Sequence, residues 1–493
     1  MELITKEEMK GIDSNTCKIS GSYNLMESAG NKMYKIIKKY YSPKNVLLAL
    51  GTGGNAGDAL VVGRLLLNDN INVDAYIVDE IKNADAINNL NKFNGNIVEE
   101  INYSKYDLII DGLYGIGLNR LLSTAYINLI NDMDNSNIDI VSLDIPSGID
   151  ASTGISYGAF IKSKLCITVE YLKTGMFLND GLDSYQKYEI ISVGMEKPND
   201  LIHSFEIEDF KNMFPERLRN TNKGSFHKAS IMAGSKDYPG ASKISYLALA
   251  SFKMGVGFQN LFVPESLYNI YCLANPEIIT NKLSEIDGHI KYNEEELNQI
   301  IKRSDAISIG MGMTVSEDLY QTIKYLLLNY DKKLIIDADG LNTLSKYGVD
   351  ILMNKKCDVI LTPHLKEFER LTGINVDDIK SNQLNISLDF AKKYNVTLIL
   401  KSSSIIITDG KNIGISNYGN SGLAKAGSGD SLTGILTGLF AYLSNSTYNI
   451  SALGAYIFGK SAEALAIKNP EETITITEII KKIPKIITKI KSL

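Results

Sequence analysis

The sequence predicts a two-domain α/β protein built on parallel sheets, and three observations carry that reading. Short apolar runs alternate with helix-length segments from end to end. Glycine-rich turns follow several of these runs, where a strand hands over to a helix. The alternation fades once, across EKPNDLIHSFEIEDFKNMFPERLRNTNKGS (196–225), which is polar, holds two prolines and has no long periodic pattern. A boundary near residues 200–220 therefore divides the chain into domains 1–212 and 213–493.

In the first domain the expected strands are NVLLAL (45–50), VDAYIV (73–78), DLII (107–110), DIVSLD (139–144) and KLCITVE (164–170), with EIISVGM (189–195) last. Helices fall between them, for instance DALVVGRLLLN (58–68). The second domain restarts with ASIMAG (229–234) and a small-residue helix, GASKISYLALASFKMGVG (240–257). Strands recur at 306–312, 333–339, 358–363, 396–401 and 404–410, and two helices cover about 428–443 and 450–467. The basic end, IIKKIPKIITKIKSL, could lie on a membrane surface. Its proline and modest length favour a terminal segment that docks its isoleucine face on the core.

Composition narrows the function classes. The 493 residues are 44% hydrophobic and 22% charged, which excludes disorder. Lys and Arg number 51 against 57 Asp and Glu, a net charge of −6 that argues against nucleic acid as the main partner. Phosphorylated small molecules stay open, because backbone amides bind them without net positive charge. No apolar run reaches the roughly 18–20 residues of a membrane span, and the start MELITKEEMK has no signal-peptide core. Cys17, Cys166, Cys272 and Cys357 form no C-x-x-C pair and the four histidines are scattered, so neither disulfides nor zinc are expected and a cytoplasmic location is.

Three strand ends in the first domain carry unusual residues. GTGGNAGDAL (51–60) is a glycine-rich turn into a helix whose start can offer N–H groups to a phosphate, though it is not the G-x-G-x-x-G fingerprint. IIDGLYGIGLNRLL (109–122) places Asp111 at a strand end before Gly115 and Gly117, and SLDIPSGID (142–150) brings Asp144, Ser147 and Gly148. Each aspartate alone could be a helix cap. Carboxylate, amide and hydroxyl oxygens gathered in one crevice suit an alkali cation or a sugar hydroxyl better than zinc.

The order ESAGN (27–31), glycine loop, DGLYGIG, LDIPSGIDASTG and LKTG (172–175) resembles the NAD(P)H-hydrate epimerase family, of Rossmann-like three-layer fold. The resemblance implies a potassium ion held by Asn55, Asp111 and Ser147. It implies substrate contacts from the loop Gly54, Asn55, Ala56, Gly57 and Asp58, and from the turn Gly115, Ile116, Gly117, Leu118, Asn119, Arg120 and Leu121. Asp144 would be both a substrate contact and the acid/base. The family loop reads N-N-G-G-D-G where this chain has G-N-A-G-D-A, and Ala56 requires a negative φ.

The second domain's strongest signal is GNSGLAKAGSGDSLTGILTGLFAYL (419–443). Gly422, Gly427 and Gly429 precede an apolar helix, so the loop can wrap an oxyanion at the helix start. Asp430 stands at the mouth of the same cradle, placed to take the proton of a hydroxyl that attacks phosphorus. The alternative is a residue favoured there only by the helix dipole. The segment resembles the G-x-G-D loop of the ribokinase-like superfamily. With NKGSFHKASIMAGSKDYPGASKISYLAL (222–249), SIGMGM, IIDADGLN, LTPHLKEFERL and LKSSS, it resembles the NAD(P)H-hydrate dehydratase family over most of residues 220–470. That match implies hydrated-nicotinamide contacts at Ala241, Gly312, His364 and Asp430, and nucleotide contacts at Lys401, Ser402, Ser403, Ser404, Ile405 and Gly429.

His364 could instead cap the following helix, and Asp337 and Asp339 could ligate magnesium or cap the helix of Leu341. Lys401 could be a surface residue laying its stem on the core. GAYIFGKS (454–461) matches the P-loop pattern, but its bulky residues sit in a helix-period segment and the match is rejected.

Together the resemblances imply a fused bifunctional NAD(P)H-hydrate repair enzyme: epimerisation of the R and S hydrates of NADH and NADPH, then nucleotide-dependent dehydration of the S hydrate. Potassium and Mg2+ are the expected ions, ADP rather than ATP the phosphoryl donor, and a homo-oligomer without nucleic-acid or membrane partners the expected state. The alternative is a kinase of a small alcohol, such as a vitamin precursor, with a non-catalytic nucleotide-binding first domain.

Overall fold

The computed structural model describes residues 2–198, 202–238, 240, 247, 250–274 and 276–493. It divides into two compact units between His203 and Ser204.

The first unit is a seven-stranded, all-parallel sheet. Its strands are β1 (Asn45–Leu50), β2 (Asn72–Ile77), β3 (Asn96–Val98), β4 (Leu108–Gly112), β5 (Ile140–Leu143), β6 (Leu165–Val169) and β7 (Tyr188–Ile191), in the order β3-β2-β1-β4-β5-β6-β7. Helices α1 (Lys6–Ser20), α2 (Ser22–Tyr40), α3 (Gly54–Asn68), α4 (Ala84–Asn91) and α5 (Thr124–Asn135) complete the layers. The continuous apolar run of β1 has a direct cause, since helices cover both faces of the strand. Val46, Leu48 and Leu50 pack with Met33, Ile37, Leu60 and Leu66 on one side. The alternate residues Leu47 and Ala49 pack with Ile130 and Met133 on the other. The strand order reverses between β1 and β4, which opens a crevice beyond their carboxyl ends. A short strand, Glu2–Ile4, pairs in parallel with Leu172–Lys173.

The second unit is a nine-stranded sheet. Its strands are β8 (Lys228–Met232), β9 (Phe258–Pro264), β10 (Ile279–Leu283), β11 (Ala306–Ile309), β12 (Lys333–Ile336), β13 (Asp358–Leu361), β14 (Thr397–Lys401), β15 (Ile405–Thr408) and β16 (Ile413–Ser416), ordered β10-β9-β8-β11-β12-β13-β14-β15-β16. Pairing is parallel up to β14 and antiparallel from β14 to β16. The helices Ser428–Tyr442 and Thr447–Ala466 bury most of their residues, as two apolar helices in a core must.

Several boundaries differ from expectation, with physical reasons. The runs expected as strands over 306–312 and 333–339 stop at Ile309 and Ile336, because Gly310, Gly312 and Ala338 take positive φ and turn the chain out of the sheet. β9, β10 and β16 carry mixed polarity and were not expected. Eight of the 18 residues of the helix expected over 240–257 lie outside the described residues; of the rest, 247 and 250–252 are helical. The P-loop match falls inside the buried helix Thr447–Ala466, so its backbone amides are spent within that helix. The basic end forms the helix Ile476–Lys491, which buries Ile476, Ile479, Ile480, Ile483, Ile486 and Ile490. Among the described residues no helix is long and apolar enough to cross a membrane.

Candidate active sites

In the first unit a cavity of about 530 Å³ opens where the strand order reverses. Gly54, Asn55 and Asp58 from the start of α3 line it, with the turn Gly115–Arg120 after β4 and Asp144 after β5. Ala56 and Gly57 sit behind this wall, buried in the first turn of α3, and Leu121 turns out to solvent. The helix begins early enough for Ala56 to be helical, so the loop's departure brings no positive φ. Gly115 is a point of close approach: a Cβ there would stand 3.3 Å from Asp144 Oδ2 and 3.7 Å from Asn55 Cγ.

Asp111 is fully buried behind this wall. Its Oδ1 accepts from Ser147 Oγ at 2.6 Å and Leu113 N at 3.2 Å, and its Oδ2 from Ser142 Oγ at 2.7 Å and Ser147 N at 3.0 Å. Burial still pushes its carboxyl above the ordinary range, against the hydrogen bonds from Ser147 and Ser142. Both polar atoms of the Asn55 amide are buried without a partner. An orphaned buried amide calls for a partner, which a hard monovalent cation would supply to its oxygen.

Asp144 sits in the left-handed region (φ 66°), with Ile145 N donating to Leu143 O at 2.9 Å in a γ-turn. Its Oδ1 accepts from Lys173 Nζ in a close ion pair. Lys173, within LKTG (172–175), carried no expected role, and its partner Asp144 lies 29 residues away in the sequence. Asp13 on α1 also lines the cavity, and no strand-end pattern could have revealed it. Burial, then the charges of Asp144 and Asp13, raise Asp58 well above the usual carboxylate range. Burial and Asp144 raise Asp13 as well.

The second unit gathers its candidate residues at the carboxyl ends of β11–β14. Asp337, just past β12, is 2% exposed. Its Oδ1 accepts from Lys401 Nζ at 3.0 Å and Ala338 N at 2.9 Å, and its Oδ2 from Thr433 Oγ1 at 2.6 Å. Burial would raise its pKa, but the Lys401 ammonium and the Thr433 hydroxyl outweigh it and hold the carboxyl below its ordinary value. Asp337 is thus committed to Lys401 and Thr433. Asp339 lies in the first turn of its helix and accepts from Thr314 N at 2.9 Å.

Lys401 is no surface residue. Its side chain is 18% exposed, and a Cβ on Gly429 would stand 3.2 Å from its Nζ. The helix that carries Gly429 and Asp430 starts at Ser428 after Gly427 (φ 95°), with no side chain capping it. Its first amides therefore have no acceptor within the helix. His364 caps the helix Leu365–Thr372, accepting at Nδ1 from Lys366 N and Glu367 N, both at 3.1 Å. Burial, then Lys401 and Arg370, lower its pKa, and with Nδ1 accepting, the proton of the neutral ring lies on Nε2, 3.5 Å from Glu367 Oε1. Lys401 N donates to Pro363 O at 2.8 Å, which joins the His364 turn to the Lys401–Ile405 segment. Ser402 Oγ donates to Ser404 O at 2.6 Å within that segment. Gly312 (φ 63°) packs by Tyr238 at the end of β11. Ala241 lies outside the described residues.

A family model described as NAD(P)H-hydrate dehydratase matches residues 229–485, and one described as YjeF-related protein N-terminus matches residues 22–175. The chain is 29% identical to a protein of Dictyoglomus turgidum named bifunctional NAD(P)H-hydrate repair enzyme Nnr, with 99% of each chain covered. It is 26% identical to a protein of the same name from Escherichia coli, covering 94% of this chain and 89% of that one. Among solved structures, an ADP/ATP-dependent NAD(P)H-hydrate dehydratase from Bacillus subtilis, co-crystallised with ATP and Mg2+, superposes with a TM-score of 0.51 at 25% identity. It covers 59% of this chain and 99% of that chain. A ribokinase-like superfamily protein from Enterococcus faecalis, 20% identical with a TM-score of 0.51, shares the fold over 59% of this chain and 97% of its own.

Proposed function

Because the chain belongs to the NAD(P)H-hydrate dehydratase family, whose model spans more than half of it, we propose that its residues carry out the two steps of hydrated-nicotinamide repair as follows. The chain is a bifunctional NAD(P)H-hydrate repair enzyme: its first unit interconverts the R and S hydrates and its second unit dehydrates the S form. The reading as a small-alcohol kinase has no support beside full-length relatives that carry both halves.

One observation supports the dehydration site most: a lysine ammonium, a bare glycine and an uncapped helix start meet beside Asp430. Hydroxide is a poor leaving group and phosphate a good one, so a kinase-like fold suits this elimination. Asp430 accepts the proton of the ring hydroxyl, whose oxygen bonds to the terminal phosphorus of the nucleotide as the phosphoanhydride bond breaks. The Gly427 and Gly429 amides and Lys401 stabilise charge on the transferred phosphoryl group. The ring nitrogen's electron pair then expels phosphate. Loss of a proton from the neighbouring ring carbon restores the dihydronicotinamide. Asp337 holds Lys401 in place, and His364 offers Nε2–H to the substrate. Nucleotide use comes with magnesium; ADP is the proposed donor, giving AMP and phosphate.

In the first unit Asp144 is the acid/base of epimerisation, and the Gly54–Asp58 and Gly115–Arg120 segments hold the hydrate. Asn55, Asp111 and Ser147 would hold potassium, which supplies a positive charge to offset buried Asp111. A single assay tests the donor: purified protein with hydrated NADH and either ADP or ATP, followed by recovery of absorbance at the NADH band. Faster recovery with ADP supports the reading, and recovery with ATP alone contradicts it.

A further inference from the structure

We propose that Lys173 is the positioning residue of the epimerisation site, acting through Asp144; the inference rests on the reading of Asp144 given above. The Lys173 side chain is completely buried. Its three ammonium hydrogens have three acceptors: Asp144 Oδ1, Thr168 Oγ1 at 2.7 Å and Val169 O at 3.0 Å. A lysine buried to its tip is costly unless paired, so this one is not placed for solubility. Its backbone is pinned too, since Lys173 pairs with Ile4 in the short parallel ladder.

The pair is closed at one end and open at the other. Oδ1 of Asp144 takes the ammonium and also Val169 N at 3.4 Å. Among the described residues no protein donor reaches Oδ2, which faces the cavity across bare Gly115. Lys173 therefore occupies one carboxylate oxygen and leaves its twin presented to substrate.

Backbone conformation points the same way. Asp144 (φ 66°) and Glu170 (φ 58°) both stand in the left-handed region, each the centre of a γ-turn, with Tyr171 N donating to Val169 O at 2.7 Å in the second. Such conformations persist where surrounding contacts over-determine them. Lys173 bonds both turns at once, through the Asp144 carboxylate on one side and Val169 O on the other. Removing the lysine frees the carboxylate to rotate and the first turn to relax, which misplaces the base without removing any group that touches the hydrate.

The test is epimer exchange by the full chain, resolving R and S hydrates chromatographically and subtracting the uncatalysed rate. K173M is expected to lower kcat about 100-fold with KM within about threefold, and K173R to recover part of kcat. T168V keeps the ion pair but cuts the tether of Nζ, and is expected to lower kcat several-fold at unchanged KM. A K173M protein that melts like the wild type and keeps its kcat overturns the proposal. Should K173M fail to fold, T168V decides: reduced kcat supports it, wild-type kcat overturns it. Wild-type protein runs in parallel, and if it shows no exchange the epimerase reading falls rather than the place of Lys173 within it.

Discussion

Lys401 and Asp337 form an ion pair at 3.0 Å with Asp337 almost wholly buried, and the same ammonium lies against Gly429 at the helix start that carries Asp430. A cation that stabilises the fold thus also faces the phosphate cradle. Removing one partner of a buried pair leaves the other uncompensated. K401M should cost about 3–5 kcal/mol in urea unfolding of the second unit and abolish nucleotide binding by calorimetry.

The pH dependence of that variant has a definite sign. Asp337 is held below its ordinary value, so its contribution is present above the unfolded carboxylate value of about 3.9 and is lost as pH falls through the folded one. In K401M the buried carboxylate lacks its cation and favours the protonated form. The gap in melting temperature between wild type and K401M should therefore be wide at pH 7 and narrow as pH drops below about 4. A gap that widens toward acid would contradict the pairing.

Asp430 occupies the first helical turn, where a negative charge is also favoured by the helix dipole, so structural and catalytic roles must be separated. D430N should lose less than about 1 kcal/mol of stability. Dehydration should fall by about 10²–10⁴-fold while nucleotide affinity changes only a few-fold. Unchanged turnover with a lower melting temperature would leave Asp430 a capping residue.

Gly115 is the narrow point between Asp144 and Asn55. Its φ is not positive, so an alanine meets no backbone penalty, only the 3.3 Å contact with Asp144 Oδ2. G115A should slow epimer exchange about tenfold and G115V should stop it, both with stability changes under about 1 kcal/mol. Dehydration of pure S hydrate should be unaffected by either.

The orphaned Asn55 amide makes an ion test possible without activity. Adding potassium to protein dialysed free of it should raise the melting temperature of the wild type, by linkage to binding. The same addition should do nothing to N55A. An equal rise in both would place the ion elsewhere.

Much of this was legible in the residues. The apolar runs that became β1, β4, β5 and β12–β15 are buried on both sides, and the glycine turns that follow them are where the candidate residues converge. β9 and β10 were missed because FQNLFVP and ITNKL mix polar and apolar residues, a pattern that pairing with neighbouring strands overrides. Lys173 was missed because its importance is a contact with Asp144, 29 residues away, that spacing does not reveal. Asp337 and Thr433 were likewise joined by the fold across 96 residues. His364 shows the converse: capping was an open alternative from its place after Pro363 in a strand-to-loop turn, and the structure contains it.

The central claim is that one chain returns both epimers of a hydrated nicotinamide to the reduced coenzyme. The most direct measurement is recovery of NADH from an equal mixture of R and S hydrates with ADP, wild type beside D144A. Wild type should convert the whole mixture rapidly. D144A should convert the S half at the same rate, then continue only as fast as uncatalysed epimerisation allows. Identical complete recovery by both proteins, or no nucleotide-dependent recovery by either, would contradict it.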